Sequence, residues 1–214
     1  MDKLIQKLIA AEDSAVPTEP FQFKFVNFAL DDKNVDAYKE FLTRLGNGGF
    51  YFNRSLQLYG FSGQEAFKNA NEINIQIQTH FGKLAEKLFA FGQDIFGYQF
   101  AFIEGSSDIV YFNSETGEKE IMANSFSEWL QVLEDKLDYY TGEPFMIDWI
   151  KEKGKLDIDA RLIPIKPFVI GGDYEVDNLH VLHFPKYLEY YADMARQISV
   201  LPDGAAVRLT IRNI

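Results

Sequence analysis

A chain of 214 residues, 47% hydrophobic and 15% aromatic, carries ample apolar material for a core without disulfide support, and its length best fits one embellished domain. The absence of cysteine excludes a disulfide framework, thiolate catalysis and cysteine-ligated zinc, and fits a reducing compartment such as the cytoplasm. With 32 acidic against 21 basic residues the net charge is -11, which opposes attraction to phosphate backbones and anionic membranes and disfavours nucleic acid and membranes as partners.

The first residues place Leu4, Ile5, Leu8 and Ile9 on one face of a short helix, with charges interrupting the run too often for a secretory signal. Pro17 and Pro20 mark an extended linker over residues 14–20, after which Phe21, Phe23 and Phe25 alternate with polar residues as in a half-buried strand. Asp31, Asp32 and Asn34 offer capping oxygens to a helix with Val35, Tyr38, Phe41, Leu42 and Leu45 at helical spacing. That helix runs into Gly46-Asn47-Gly48-Gly49, residues that reach left-handed backbone at low cost and so redirect the chain. Phe50-Tyr51-Phe52 and Leu56-Gln57-Leu58-Tyr59 then read as short strands, and residues 65–84 as partly helical.

Three aromatic strands follow, around Leu88–Phe91, Tyr98–Phe102 and Ile109–Phe112, separated by turns as in an antiparallel meander. Residues 113–118 form a hairpin turn into Glu120–Ala123. Ser125 with Glu128 makes a capping box for a helix whose apolar face is Phe126, Trp129, Leu130, Leu133 and Leu137. Strands followed by a helix describe α+β architecture. Residues 139–144 break that helix, another begins in residues 145–151, and residues 134–159 hold eight acids and four Lys, a surface composition. In the tail, Phe168–Ile170 and Leu179–Leu182 read as strands, residues 185–198 as a helix and Val207–Ile211 as a closing strand. No run approaches the ~18 apolar residues of a membrane span.

Four stretches in this order resemble the SUKH superfamily, which contains a fungal cell-wall-assembly regulator and many bacterial toxin-immunity proteins. They are Leu45–Phe52 with the helix before it, Phe91–Phe100, Val110–Phe112 leading to Glu115–Glu118, and Ala123–Leu130. The resemblance covers roughly residues 31–137, and residues 164–204 look like an extension found on some bacterial members. It departs from the family where Phe21, Phe23 and Phe25 replace a Trp and a Pro-containing turn. The resemblance implies a mixed, mainly antiparallel sheet flanked by helices, with a C-terminal strand-helix-strand extension. The expected division is a helix and linker over 1–20, a SUKH-like domain over 21–137, and an extension over 138–214 packed on it. It further implies protein binding without catalysis: an immunity protein that binds a cognate bacterial toxin, or alternatively a regulatory scaffold; the acidic composition suits a basic partner.

The residues offer little to chemistry of other kinds. The Gly46–Gly49 run lacks the Gly-Lys-Ser/Thr ending and the following helix of a phosphate loop. His180 and His183 are three apart on a strand, which splits them between faces, and His80 stands alone, so no metal and no cofactor is expected. No Gly-x-Ser-x-Gly elbow is present, and no catalytic residue is assigned. Asp94, beside Ile95 and Phe96, is the best single carboxylate for a hydrolase, but a turn residue bonded to local backbone is the favoured reading. The aromatics Tyr51, Phe52, Tyr98, Phe100, Tyr111 and Phe112 belong to the core, with tyrosine hydroxyls at its rim, and residues 94–120 are net -5. The expected partner-binding residues are therefore Tyr51, Asp94, Tyr98, Asp108 and Glu118, rim tyrosines beside carboxylates.

Overall fold

A computed structural model describes residues 2–11, 22–61, 65–202, 204–205 and 209. The first helix, α1 (Asp2–Ala10), buries Leu4, Ile5 and Leu8 and leaves Ile9 exposed. The second, α2 (Asp32–Leu45), begins where Asp31 Oδ1 accepts from the Lys33 N–H at 3.0 Å and buries Tyr38, Phe41, Leu42 and Leu45. Asn34 is also buried: its Nδ2 donates to Ser107 O at 2.9 Å, and its Oδ1 accepts from the Phe126 N–H at 2.8 Å. One amide thus fastens two distant loops to α2.

The glycine-rich joint behaves as its composition predicts. Gly46, Asn47, Gly48 and Gly49 have φ of 84, 73, 89 and 152°, and the Gly46 N–H donates to Leu42 O. Asn47 Oδ1 accepts from the Phe61 N–H at 2.8 Å, which holds the joint against the segment that returns from the first hairpin. No room exists for a side chain there, because a Cβ on Gly60 would lie 2.1 Å from Asn47 O.

The main sheet has six strands in the order of the chain, each antiparallel to the next. They are β1 (Gly49–Tyr51), β2 (Leu56–Leu58), β3 (Leu88–Gln93), β4 (Gln99–Ile103), β5 (Ile109–Phe112) and β6 (Lys119–Ala123). Phe52, expected in the first strand, instead starts the turn, with left-handed φ at Phe52, Asn53 and Arg54. Between β2 and β3 lies α3 (Ala70–Phe81), where Asn69 Oδ1 caps the N–H groups of Asn71 and Glu72. Buried Asn74 pairs with β3 as a strand would: it accepts from the Ala90 N–H and donates to Ala90 O, beside the register shift between Ala90 and Gly92.

Helices cover both faces of the sheet. The helix α4 (Phe126–Asp135) joins α2 on one face, where Trp129 meets Phe91 and Phe100 edge-on, and Tyr38 meets Phe102. On the other face Phe81 of α3 meets Phe112. Ser125 Oγ accepts from the Glu128 N–H at 3.2 Å as predicted, while Glu128 reaches back one residue further, to the Asn124 N–H. Replacing this cap by Ala (Ser125→Ala) is expected to cost about 1 kcal/mol, read as a lower urea midpoint with an unchanged slope.

Further helices α5 (Leu137–Thr141) and α6 (Glu143–Lys153) follow, so Tyr139–Thr141 are helical and the break falls at left-handed Gly142. A second, two-stranded sheet pairs β7 (Ala160–Pro164) with β8 (Leu179–His183), and α7 (Lys186–Ile198) packs on α3.

Two further strand expectations change. Residues 22–25 form no strand, because the Asn71 side chain serves their backbone: its Nδ2 donates to Lys24 O and its Oδ1 accepts from the Val26 N–H, both at 2.9 Å. The alternation there reflects Phe23 and Phe25 packing on Tyr38 and Phe61; Phe21 and residues 12–20 fall outside the described residues. Phe168–Ile170 is a 3-10 turn, held by a buried carboxylate described below. The closing strand over 207–211 falls outside the described residues except Leu209.

Candidate functional site

The link between β3 and β4 is organised by Asp94, which is only 2% exposed. Its Oδ1 accepts from the N–H groups of Phe96 and Tyr98 at 2.8 and 2.9 Å, and the Tyr111 hydroxyl donates to Oδ2. Burial drives the Asp94 carboxyl up to about 7, against the three donors and the Arg161 charge, which pull it down. The turn reading of Asp94 therefore holds, and every oxygen that could do chemistry is committed to a local bond.

Behind this turn lies a polar interior. Arg161 of β7 is 1% exposed and donates to Gln57 Oε1 of β2 and to Ala160 O. A guanidinium offers only donors, so the Gln93 carboxamide turns its oxygen toward it and accepts from Nε and Nη2 at 3.0 and 2.9 Å. Tyr59 donates to Gln99 Oε1 at 2.7 Å, and Tyr191 of α7 to Phe96 O at 2.8 Å. Burial lowers the pKa of Arg161, and the buried charge is offset by these oxygens and by the field of Asp94.

Glu115, in the β5–β6 hairpin, is fully buried. Its two oxygens accept from the N–H groups of Phe168 and Val169 at 3.1 and 2.9 Å, pinning the 3-10 turn to the end of the main sheet. Burial raises its pKa, and the two backbone bonds and the Tyr98 hydroxyl oppose that rise. From this anchor Phe168 stacks on Tyr174 with centroids 4.0 Å apart and planes 6° from parallel, and Phe96 and Phe145 close round the pair.

An aromatic ridge results. Tyr174 and Tyr139 are 56% and 76% exposed at its ends. Between them, ring contacts run from Tyr139 through Tyr140, Tyr111 and Tyr98 to Phe96. Burial, followed by the charges of Glu115, Tyr139 and Asp94, pushes the Tyr174 hydroxyl up, so both buried carboxylates are felt at the ridge. Beside Tyr174 a recess of about 290 Å³ is lined by Phe145, Asp148, Glu152, Glu175 and Asp177. Lys151 pairs with Asp148 at 2.9 Å and Lys153 with Asp177 at 4.0 Å.

The expected partner-binding residues fare unequally. Tyr51 is fully buried, its hydroxyl donating to Gly48 O at 3.1 Å, and Asp94 is buried as described, so neither side chain offers a surface to a partner. Tyr98 lies at the foot of the ridge. Half-buried Asp108 accepts from Ser106 Oγ at the opposite end of β5. Exposed Glu118 lines an open recess of about 770 Å³ with Lys166, Val169 and Ile198. The structure brings Asp94 and Tyr98 together and leaves Asp108 apart. Glu115, Arg161, Tyr139 and Tyr174 were not singled out by sequence reasoning; for Arg161 the available signal was a lone base in the apolar run Ala160–Ile163.

Among the described residues no group of three or more His, Asp and Glu is placed to hold a metal. His180 and His183 lie on β8 as expected; His183 Nδ1 is 3.0 Å from Asp159 Oδ1. No helix among the described residues is long and apolar enough to cross a membrane.

A six-stranded antiparallel meander with helices on both faces is an α+β fold. Residues 36–132 match the SMI1 / KNR4 family (SUKH-1), in line with the resemblance carried by the motifs. The crystal structure of Atu4351 from Agrobacterium tumefaciens is similar at a TM-score of 0.49 and 16% identity, covering 78% of this chain and 82% of that one. Among curated proteins none matches the chain by sequence.

Proposed function

We propose that this protein is a non-enzymatic binding protein of the cytoplasm, an immunity protein that neutralises a bacterial toxin by direct contact. The observation that carries the reading is the family match over residues 36–132, since the superfamily includes toxin-immunity proteins. Two features support it. The ridge exposes tyrosines, which bury large area at little entropic cost, and the chain is net -11, which suits a basic partner.

The test is co-expression with the toxin encoded beside its gene. Growth should be restored by the intact chain, and the purified pair should associate about tenfold more slowly when salt rises from low to physiological ionic strength, with dissociation changing far less. Failure to protect, or association indifferent to salt, overturns the reading. The scaffold alternative predicts several unrelated partners for one surface, so a single stoichiometric complex argues against it.

A further inference from the structure

We infer that the recess beside Tyr174, together with the aromatic ridge, is the docking surface for a basic segment of a protein partner, with an Arg or Lys entering the recess and an apolar neighbour lying on the ridge. This deepens, and rests on, the protein-binding reading. The exposed part of the ridge is Tyr139 and Tyr174, with half-buried Tyr111, Phe145 and Phe168 beside them, and it is backed by the buried rings of Phe96, Tyr98 and Tyr140. Tyr174 is not a loose side chain, because it is stacked on Phe168, and Phe168 is fixed through its N–H by buried Glu115. A pre-organised aromatic loses little freedom when covered.

Charge complementarity selects the occupant. Of the four carboxylates that line the recess, Asp148 and Asp177 have lysine partners, while Glu152 and Glu175 pair with no base among the described residues. The face of Tyr174 away from Phe168 also attracts a cation through the ring quadrupole. An anionic partner such as nucleic acid would meet four carboxylates against two lysines, a net repulsion. A volume of about 290 Å³ is sized for one side chain, which points to a protein segment anchored by a single residue.

The experiment selects peptides from a random dodecapeptide phage library on the full chain, then measures a synthetic copy of the dominant peptide by fluorescence anisotropy. The variants are Tyr139→Ala with Tyr174→Ala, and Glu152→Gln with Glu175→Gln, each checked for an unchanged thermal midpoint. Enriched peptides should carry Arg or Lys beside an apolar residue. The tyrosine variant should bind at least tenfold more weakly, and the glutamine variant severalfold more weakly with reduced salt sensitivity. Peptides that bind both variants as well as the parent overturn the docking surface and leave the protein-binding reading standing. An absence of any enriched peptide counts against both. Concentration-dependent dimers in sedimentation, lost in the tyrosine variant, would make the occupant a second copy and overturn the inference.

Discussion

Between about pH 4 and pH 7 the Asp94→Asn variant should gain stability relative to the parent by up to about 4 kcal/mol. The carboxyl is raised from 3.8 to about 7 in the folded chain, chiefly by burial. Below that window Asp94 is protonated in both folded and unfolded chains and costs nothing. As pH rises through the window the unfolded chain releases its proton first, so the stability owed to this group falls; above about 7 both states are charged and the cost is constant. Three pH units at 1.36 kcal/mol each set the order of magnitude. The Asn side chain keeps an oxygen for the Phe96 and Tyr98 N–H groups, and its amide can donate to the Tyr111 oxygen, so the turn survives. Urea unfolding of parent and variant at a series of pH values reads the difference; parallel curves would refute the assignment. The same variant tests the hydrolase alternative, which requires that a turnover vanish while folding is intact.

Glu115→Ala should lower stability by about 3 kcal/mol, seen as a urea midpoint reduced by roughly 1 to 2 M. The loss arises because the Phe168 and Val169 N–H groups lose a buried acceptor that nothing else nearby replaces. Part of the cost is offset, since a buried carboxylate no longer has to be desolvated. Glu115→Gln, keeping one acceptor oxygen, should fall about midway. If both variants match the parent, the hairpin and the 3-10 turn are held by something other than this carboxylate. Loosening of Phe168 should also broaden the environment of Tyr174, visible in its aromatic resonances.

The helices, the meander and the glycine joint could be read from the chain because each is coded locally. Tyr38, Phe41, Leu42 and Leu45 carry a helical period, and Gly46–Gly49 supplies the left-handed residues that end it. Where reading failed, a distant side chain had taken over a backbone role. Asn71 bonds residues 24 and 26 in place of a neighbouring strand, and Glu115 bonds residues 168 and 169, so an alternating or apolar run there says nothing about pairing. The ridge was illegible for the same reason. Tyr139 and Tyr174 are 35 residues apart in sequence and meet the same cluster only through the rings of Tyr140, Tyr111, Tyr98 and Phe96. Asp94 was legible as a turn residue because its partners are two and four residues away.

The insertion of Arg161 among Gln57 and Gln93 has an evolutionary reach beyond stability. A tail whose cation is buried among the meander's own amides cannot be swapped for another by simple recombination, since a newcomer lacking that cation would strand the oxygens that receive it. Exposed Tyr139, Tyr174, Glu152 and Glu175 take no part in these bonds, so that surface can vary one residue at a time while the charged peg behind it stays the same.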